Sequence, residues 1–223
     1  VVDNPNGFFI MVEGGKIDWS CHDNDAATTI REVISFSKAI EEAIAFYKKH
    51  PNETLIIVTA DHETGGMSLG NTKNGYKNHL KILAKQNVSQ EKLHSAIEKF
   101  KIVTPNANFK DVLKLIEEHT GLSTDGAYAL TPEELADLNV AYQIYFRNKK
   151  PKTDKNTYSK TDLLAKTAIS ILNTKAGIGW TSSTHTGSPV PVFAIGEGQE
   201  LFSKFQDNVD IPKNILKASG INR

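Results

Sequence analysis

Two short apolar runs on either side of a long amphipathic stretch constrain this chain most. Phe8-Phe9-Ile10-Met11-Val12 is continuous and apolar, the pattern of a strand covered on both faces. Gly14-Gly15 interrupts it. Between Ala26 and Lys49, Val33, Ile34, Ala39, Ile40, Ala43, Ile44 and Tyr47 recur every three or four residues and so share one face of a helix. Pro51-Asn52 ends that helix, and Leu55-Ile56-Ile57-Val58 is a second, β-branched run. A strand–helix–strand unit of this length predicts parallel pairing through a right-handed crossover.

The pattern changes after about residue 70. From Asn71 to Lys175 the helical period dominates, with helices expected at Asn78–Gln86, Ser89–Phe100, Phe109–Thr120, Pro132–Phe146 and Lys160–Thr174. Ser89 and the string Thr131-Pro132-Glu133-Glu134 are helix-start signals. Strand character returns at Pro189–Ile195, followed by a short helix at Gln199–Phe205 and a helical tail at Ile211–Ala218. The expected architecture is α/β. Residues 1–70 and 176–223 form a core portion, and 71–175 form a helical insertion or cap.

Charge narrows the function classes. Lys+Arg and Asp+Glu both number 26 in 223 residues, so the basic excess typical of nucleic-acid binding is absent. The local basic run Arg147–Lys155 reads as a solvated loop. One cysteine, Cys21, permits no intrachain disulfide. No apolar run approaches the roughly 20 residues of a membrane span. The chain starts at Val1 without a methionine or a signal peptide. It is expected to be an excised piece of a longer protein, whose beginning is where a targeting signal would lie.

Three polar clusters carry the chemistry: Glu13–His22, Thr59–Gly66 and Ser183–Ser188. Glu13 follows the first expected strand, and Asp61-His62 follow the second. Open α/β sheets bind ligands outside the carboxyl ends of their strands, so both clusters fall on the same edge. Asp18 and His22 lie four positions apart and can converge on one ion. Asp61-His62 is a second carboxylate–imidazole pair, and His185 adds a further imidazole. Zinc accepts these ligand types, whereas Glu13 offers the hard oxygen that magnesium prefers. Three histidines and three carboxylates exceed the needs of one zinc. Each cluster alone also has an ordinary reading: Asp61 as a helix cap, His185 as a surface-loop residue, Cys21 as a small buried side chain. His50, His79, His94 and His119 fall at helix ends or on helix faces and are assigned no function.

At these clusters the sequence resembles the alkaline phosphatases. Glu13-Gly14, Ile17-Asp18 and His22 match one family motif. Thr59-Ala60-Asp61-His62 matches a second, and His185-Thr186-Gly187 a third, all in the family's order. The resemblance covers residues 7–70 and 178–206 and is weak in the helical middle. It implies part of a parallel-sheet α/β/α sandwich. It also implies two Zn2+ and one Mg2+ in the complete enzyme. Asp18, His22 and His185 would hold the first zinc, Asp61 and His62 the second, and Glu13 the magnesium. Trp19 would neighbour the substrate. Thr64 stands where some members carry a further histidine, so tuning by that group is expected to be absent. The implied reaction is hydrolysis of phosphate monoesters through a phosphoserine intermediate. A homodimer in the periplasm or outside the cell is likewise implied.

The nucleophilic serine of that reaction belongs to an Asp-Ser-Ala string, which this chain lacks. The phosphate-binding arginine is also expected upstream, so no catalytic residue is assigned here. The chain reads as the C-terminal portion of such an enzyme, inactive alone and retaining at most about one tightly held zinc, since a structural site needs four ligands. Two other readings remain. One is a different hydrolase of the same metal-dependent superfamily, such as a phosphodiesterase, a phosphonate hydrolase or a cofactor-independent phosphoglycerate mutase. The other is a non-catalytic metal-binding or interaction module.

Overall fold

The computed structural model describes residue 4 and residues 7–147 and 163–220. The basic run therefore lies outside the described residues except for Arg147. Helix α1 (Gly15–His22) leads into α2 (Ala26–Lys49), whose N-cap Asp25 accepts from the Thr28 amide. Strand β1 (Leu55–Val58) follows, then two-residue strands β2 (Glu63–Thr64) and β3 (Ser68–Leu69). A 3₁₀ turn at Leu80–Lys85 precedes the helical block of α3 (Gln90–Val103), α4 (Phe109–Thr120), α5 (Pro132–Arg147) and α6 (Leu163–Ala176). The chain then forms β4 (Ile178–Gly179), β5 (His185–Thr186), β6 (Phe193–Gly196), a 3₁₀ turn at Gln199–Phe202 and α7 (Asp210–Ala218).

Local signals set most of these bounds. Ser89 caps α3 by accepting from the Lys92 amide. Asn108 and Asp111 form a reciprocal capping box on α4. Thr131 and Glu134 do the same at α5, where each side chain accepts from the other's backbone amide. Pro189 and Pro191 lack the amide a ladder needs, so β6 begins later than the apolar run suggested. The expected helix over 78–86 is only the 3₁₀ turn, with Ile82 and Leu83 as its buried anchors.

The strand pairing differs from expectation. Phe8–Val12 has no ladder partner among the described residues, and its side chains are exposed, from 44% at Phe8 to 80% at Met11. A run that is apolar on both faces becomes a strand only when neighbours cover both edges and faces. Here Phe8 meets an aromatic edge of Phe46 from α2, with ring centroids 5.7 Å apart. The parallel pairing expected between the two runs is therefore not formed. Instead β1 pairs antiparallel with β6, Leu55 opposite Gly196 and Val58 opposite Phe193. The pairs β2–β5 and β3–β4 are antiparallel too.

Packing explains which part holds the molecule together. The main apolar cluster takes Leu93 and Ile97 from α3, Val112 and Ile116 from α4, Leu138 from α5, and Leu164, Ile169 and Leu172 from α6. Ala26 and Ala27 at the start of α2 join the same cluster. The beginning of α2, directly after α1, is thus fixed against the helical block. That contact positions one side of the site described next.

Candidate metal centre

Helix α1 brings Asp18 and His22 to one face, because positions four apart stack on a helix. Its end is tied down from both sides. Asn24, in the left-handed conformation, donates through Nδ2 to the carbonyls of Cys21 and Ser182. Ser20 and Thr29 share a buried hydroxyl–hydroxyl bond that fastens α1 to α2.

The opposite side is the β2–β5 pair, in which Thr64 faces His185 and Glu63 faces Thr186. Glu63 stitches this unit together: one carboxylate oxygen accepts from the Gly66 amide and the other from the Thr186 hydroxyl. Gly65 must be glycine. Its φ is +84°, and a Cβ there would lie 2.8 Å from the Trp180 ring. Its carbonyl accepts from the amides of Thr181 and Ser182, which draws the 180–185 segment against the loop.

Three ligand-type atoms converge between these two sides. His22 Nε2 lies 3.5 Å from Asp18 Oδ1 and 3.2 Å from His185 Nε2. His185 Nε2 lies 3.9 Å from the same Asp18 oxygen. The other nitrogen of His22, Nδ1, is 2.8 Å from the Ser183 carbonyl oxygen. A carbonyl only accepts, so Nδ1 carries a proton, and in the neutral ring Nε2 presents its lone pair to the cluster. Two imidazole nitrogens and a carboxylate oxygen meeting at this range match the donor set zinc prefers. The residues present therefore fit such an ion.

His62 joins the cluster. Its ring stacks on His185 with centroids 3.5 Å apart and planes at 21°. Asp18, His62 and His185 each offer one ligand atom within 4.8 Å of the others. Asp61 is more peripheral: its side chain is 83% exposed and contacts its own neighbour, with Oδ2 3.3 Å from His62 Nε2. Glu13 is exposed just before α1 and, among the described residues, makes no hydrogen bond or ion pair with the cluster. Trp19 is 65% exposed on α1 beside Asp18. Cys21 turns away, buried against the Thr29 hydroxyl, and burial pushes its thiol pKa up. It packs and does not join the ligand group.

Sequence reading missed three contributors. Ser183 acts through its backbone carbonyl, which no side-chain pattern reveals. Glu63 lies inside the recognised Thr59–Gly66 string but reads as one more exposed carboxylate. Thr64 is 7% exposed and its hydroxyl bonds both Asp18 and His62, a contact that no motif signalled.

Such an arrangement defines an α/β protein with an open aspartate–histidine cluster suited to a divalent metal. Comparison with known proteins narrows the class. A model of the alkaline phosphatase family matches residues 2–221. Alkaline phosphatase 4 of Bacillus subtilis is 37% identical over 215 residues, 96% of this chain and 40% of that protein. Alkaline phosphatase 3 of the same organism is 34% identical, over 97% of this chain and 41% of its own length. The crystal structure of a cold-active alkaline phosphatase from Shewanella sp. superposes with a TM-score of 0.73 at 30% identity, covering 99% of this chain and 47% of that one. The chain belongs to the alkaline phosphatase family. It spans about 40% of the length of these two curated relatives.

Proposed function

We propose that this chain supplies most of the metal ligands of a phosphomonoesterase. Asp18, His22 and His185 hold a first zinc, Asp61 and His62 a second, and Glu13 a magnesium. The observation that carries the reading is the convergence of Asp18 Oδ1, His22 Nε2 and His185 Nε2 within 3.2–3.9 Å of one another. When bound, zinc supplies Lewis-acid stabilisation of phosphoryl oxygens. The protein's own residues do the rest. The Ser183 carbonyl holds His22 in the tautomer that leaves Nε2 free, and α1 keeps Asp18 on the same face. Trp19 borders the opening where a phosphate monoester enters. A nucleophilic serine in an Asp-Ser-Ala context and a phosphate-clamping arginine are not among this chain's motifs. The reading assigns both to the remainder of a longer enzyme, along with the parallel-sheet sandwich. Residues 71–175 are then a helical insertion between the two site-bearing portions.

Zinc titration with a competing chromophoric chelator tests the assignment. His22→Ala and His185→Ala should each remove the tightest zinc, whereas Asp61→Ala should leave it. Equal affinity in all three variants rejects the reading. In the whole enzyme, p-nitrophenyl phosphate hydrolysis should disappear on chelation and return with zinc.

A further inference from the structure

We infer that Thr64 is a positioning residue that holds one ligand of each proposed zinc site and fixes the tautomer of His62. The inference rests on the metal assignment above. Thr64 ends β2, is 7% exposed, and sits opposite His185 in the β2–β5 ladder. Its Oγ1 lies 2.6 Å from Asp18 Oδ1 and 3.2 Å from His62 Nδ1. Backbone and side chain together therefore place this one residue against Asp18, His62 and His185.

Proton counting gives the direction of each bond. A threonine hydroxyl has one proton. An ionised Asp18 carboxylate only accepts, so the hydroxyl donates to Asp18 Oδ1. Toward His62 the same oxygen must then accept, so His62 Nδ1 carries the ring proton. In the neutral ring this leaves the His62 Nε2 lone pair for a metal, with Asp61 Oδ2, 3.3 Å from Nε2, as the acceptor that competes for the ring proton. The chain runs one way, from Nδ1–H to Oγ1–H to the carboxylate, and each link polarises the next. Asp18 is assigned to the first zinc and His62 to the second. A single hydroxyl thus sets the spacing and orientation of ligands across both sites.

Thr64→Val keeps the β-branched shape and removes both bonds, whereas Thr64→Ser keeps the hydroxyl. Both variants should melt cooperatively, which circular dichroism checks. Loss of an outer ligand-orienting bond costs roughly 10- to 100-fold in metal affinity. Chelator competition should show that loss for Thr64→Val, and Thr64→Ser should stay close to the unaltered chain. In the zinc-free chain, long-range ¹H–¹⁵N correlation should show His62 protonated at Nδ1 in the unaltered and serine forms, and a tautomer mixture in the valine form. Unchanged zinc affinity in Thr64→Val, with zinc still bound by the unaltered chain, overturns this inference and leaves the metal assignment standing. Failure of the unaltered chain to bind zinc overturns both. His62 protonated at Nε2 in the zinc-free unaltered chain overturns the inference by itself.

Discussion

At the scale of single residues, Asp25 does more for the fold than any residue the motifs pointed to. It is fully buried, yet its carboxylate is saturated. Oδ1 accepts from the Thr28 amide at 3.1 Å and from Gln86 Nε2 at 2.8 Å. Oδ2 accepts from the Thr28 hydroxyl at 2.7 Å and from the Gln90 amide at 2.8 Å. One side chain thus caps α2, bonds the first residue of α3 and anchors Gln86 between them. Asp25→Ala removes an N-cap, which costs about 1 kcal/mol, and strands buried donors, each costing about 1–3 kcal/mol. The expected loss is about 3 kcal/mol, read as a lower urea midpoint. Asp25→Asn should fall between, because its amide restores the cap acceptor but turns a donor toward other donors. A loss under about 0.5 kcal/mol for the alanine variant would contradict this account. Because α1 joins α2 at Asp25, the same substitution should also loosen the Asp18–His22 side of the metal centre.

At the scale of elements, what was legible followed from how local the cause is. The bounds of α2, α4 and β1 could be read directly, because apolar period, caps and breakers lie within the segment itself. The pairing of β1 was not legible. Its partner, 193–196, lies far along the chain, and alternation gives no partner's address. Phe8–Val12 has strand composition but no ladder partner among the described residues. Likewise, Asp18, His22, His62 and His185 were readable as ligand types. The bonds that orient them span 46 residues from Thr64 to Asp18 and 161 from Ser183 to His22, so they were invisible in the sequence. The β1–β6 pair carries its own prediction. Gly196 ends β6 at a φ of +111°, and a Cβ there would run into the Thr54 carbonyl oxygen. Gly196→Ala should cost about 1–3 kcal/mol, the usual range for a residue forced into such a region. Its signature should be local. Hydrogen exchange should speed up at Leu55–Val58 and Phe193–Ile195, while α3–α6 keep their protection.

At the scale of the whole molecule, the stable part and the chemical part are separate. The main core is helical, from α3 to α6, and the proposed ligands sit outside it, just before and on α1, in the loop after β1, and on β5. The ligand-bearing surface is open: the side chains of His22, Asp18 and His185 are 37%, 36% and 51% exposed. Zinc needs four ligands, and under the proposed assignment Asp18, His22 and His185 would supply three, leaving one position for water or substrate. Under the same assignment Asp61 and His62 would offer only two for a second ion, and Glu13 one for magnesium. A divalent ion with one or two protein ligands loses the competition against water and buffer. This chain alone should therefore retain at most about one zinc after gel filtration, measured by inductively coupled plasma mass spectrometry. It should hydrolyse p-nitrophenyl phosphate no faster than a zinc-containing blank, since it has no Asp-Ser-Ala nucleophile. Removing that zinc should lower the melting temperature, because an ion held only by the folded ligand loops stabilises the native state by mass action, and the start of α2 joins those loops to the helical core. Three retained metals, or turnover of the ester, would mean that the chain completes the centre with groups other than those proposed.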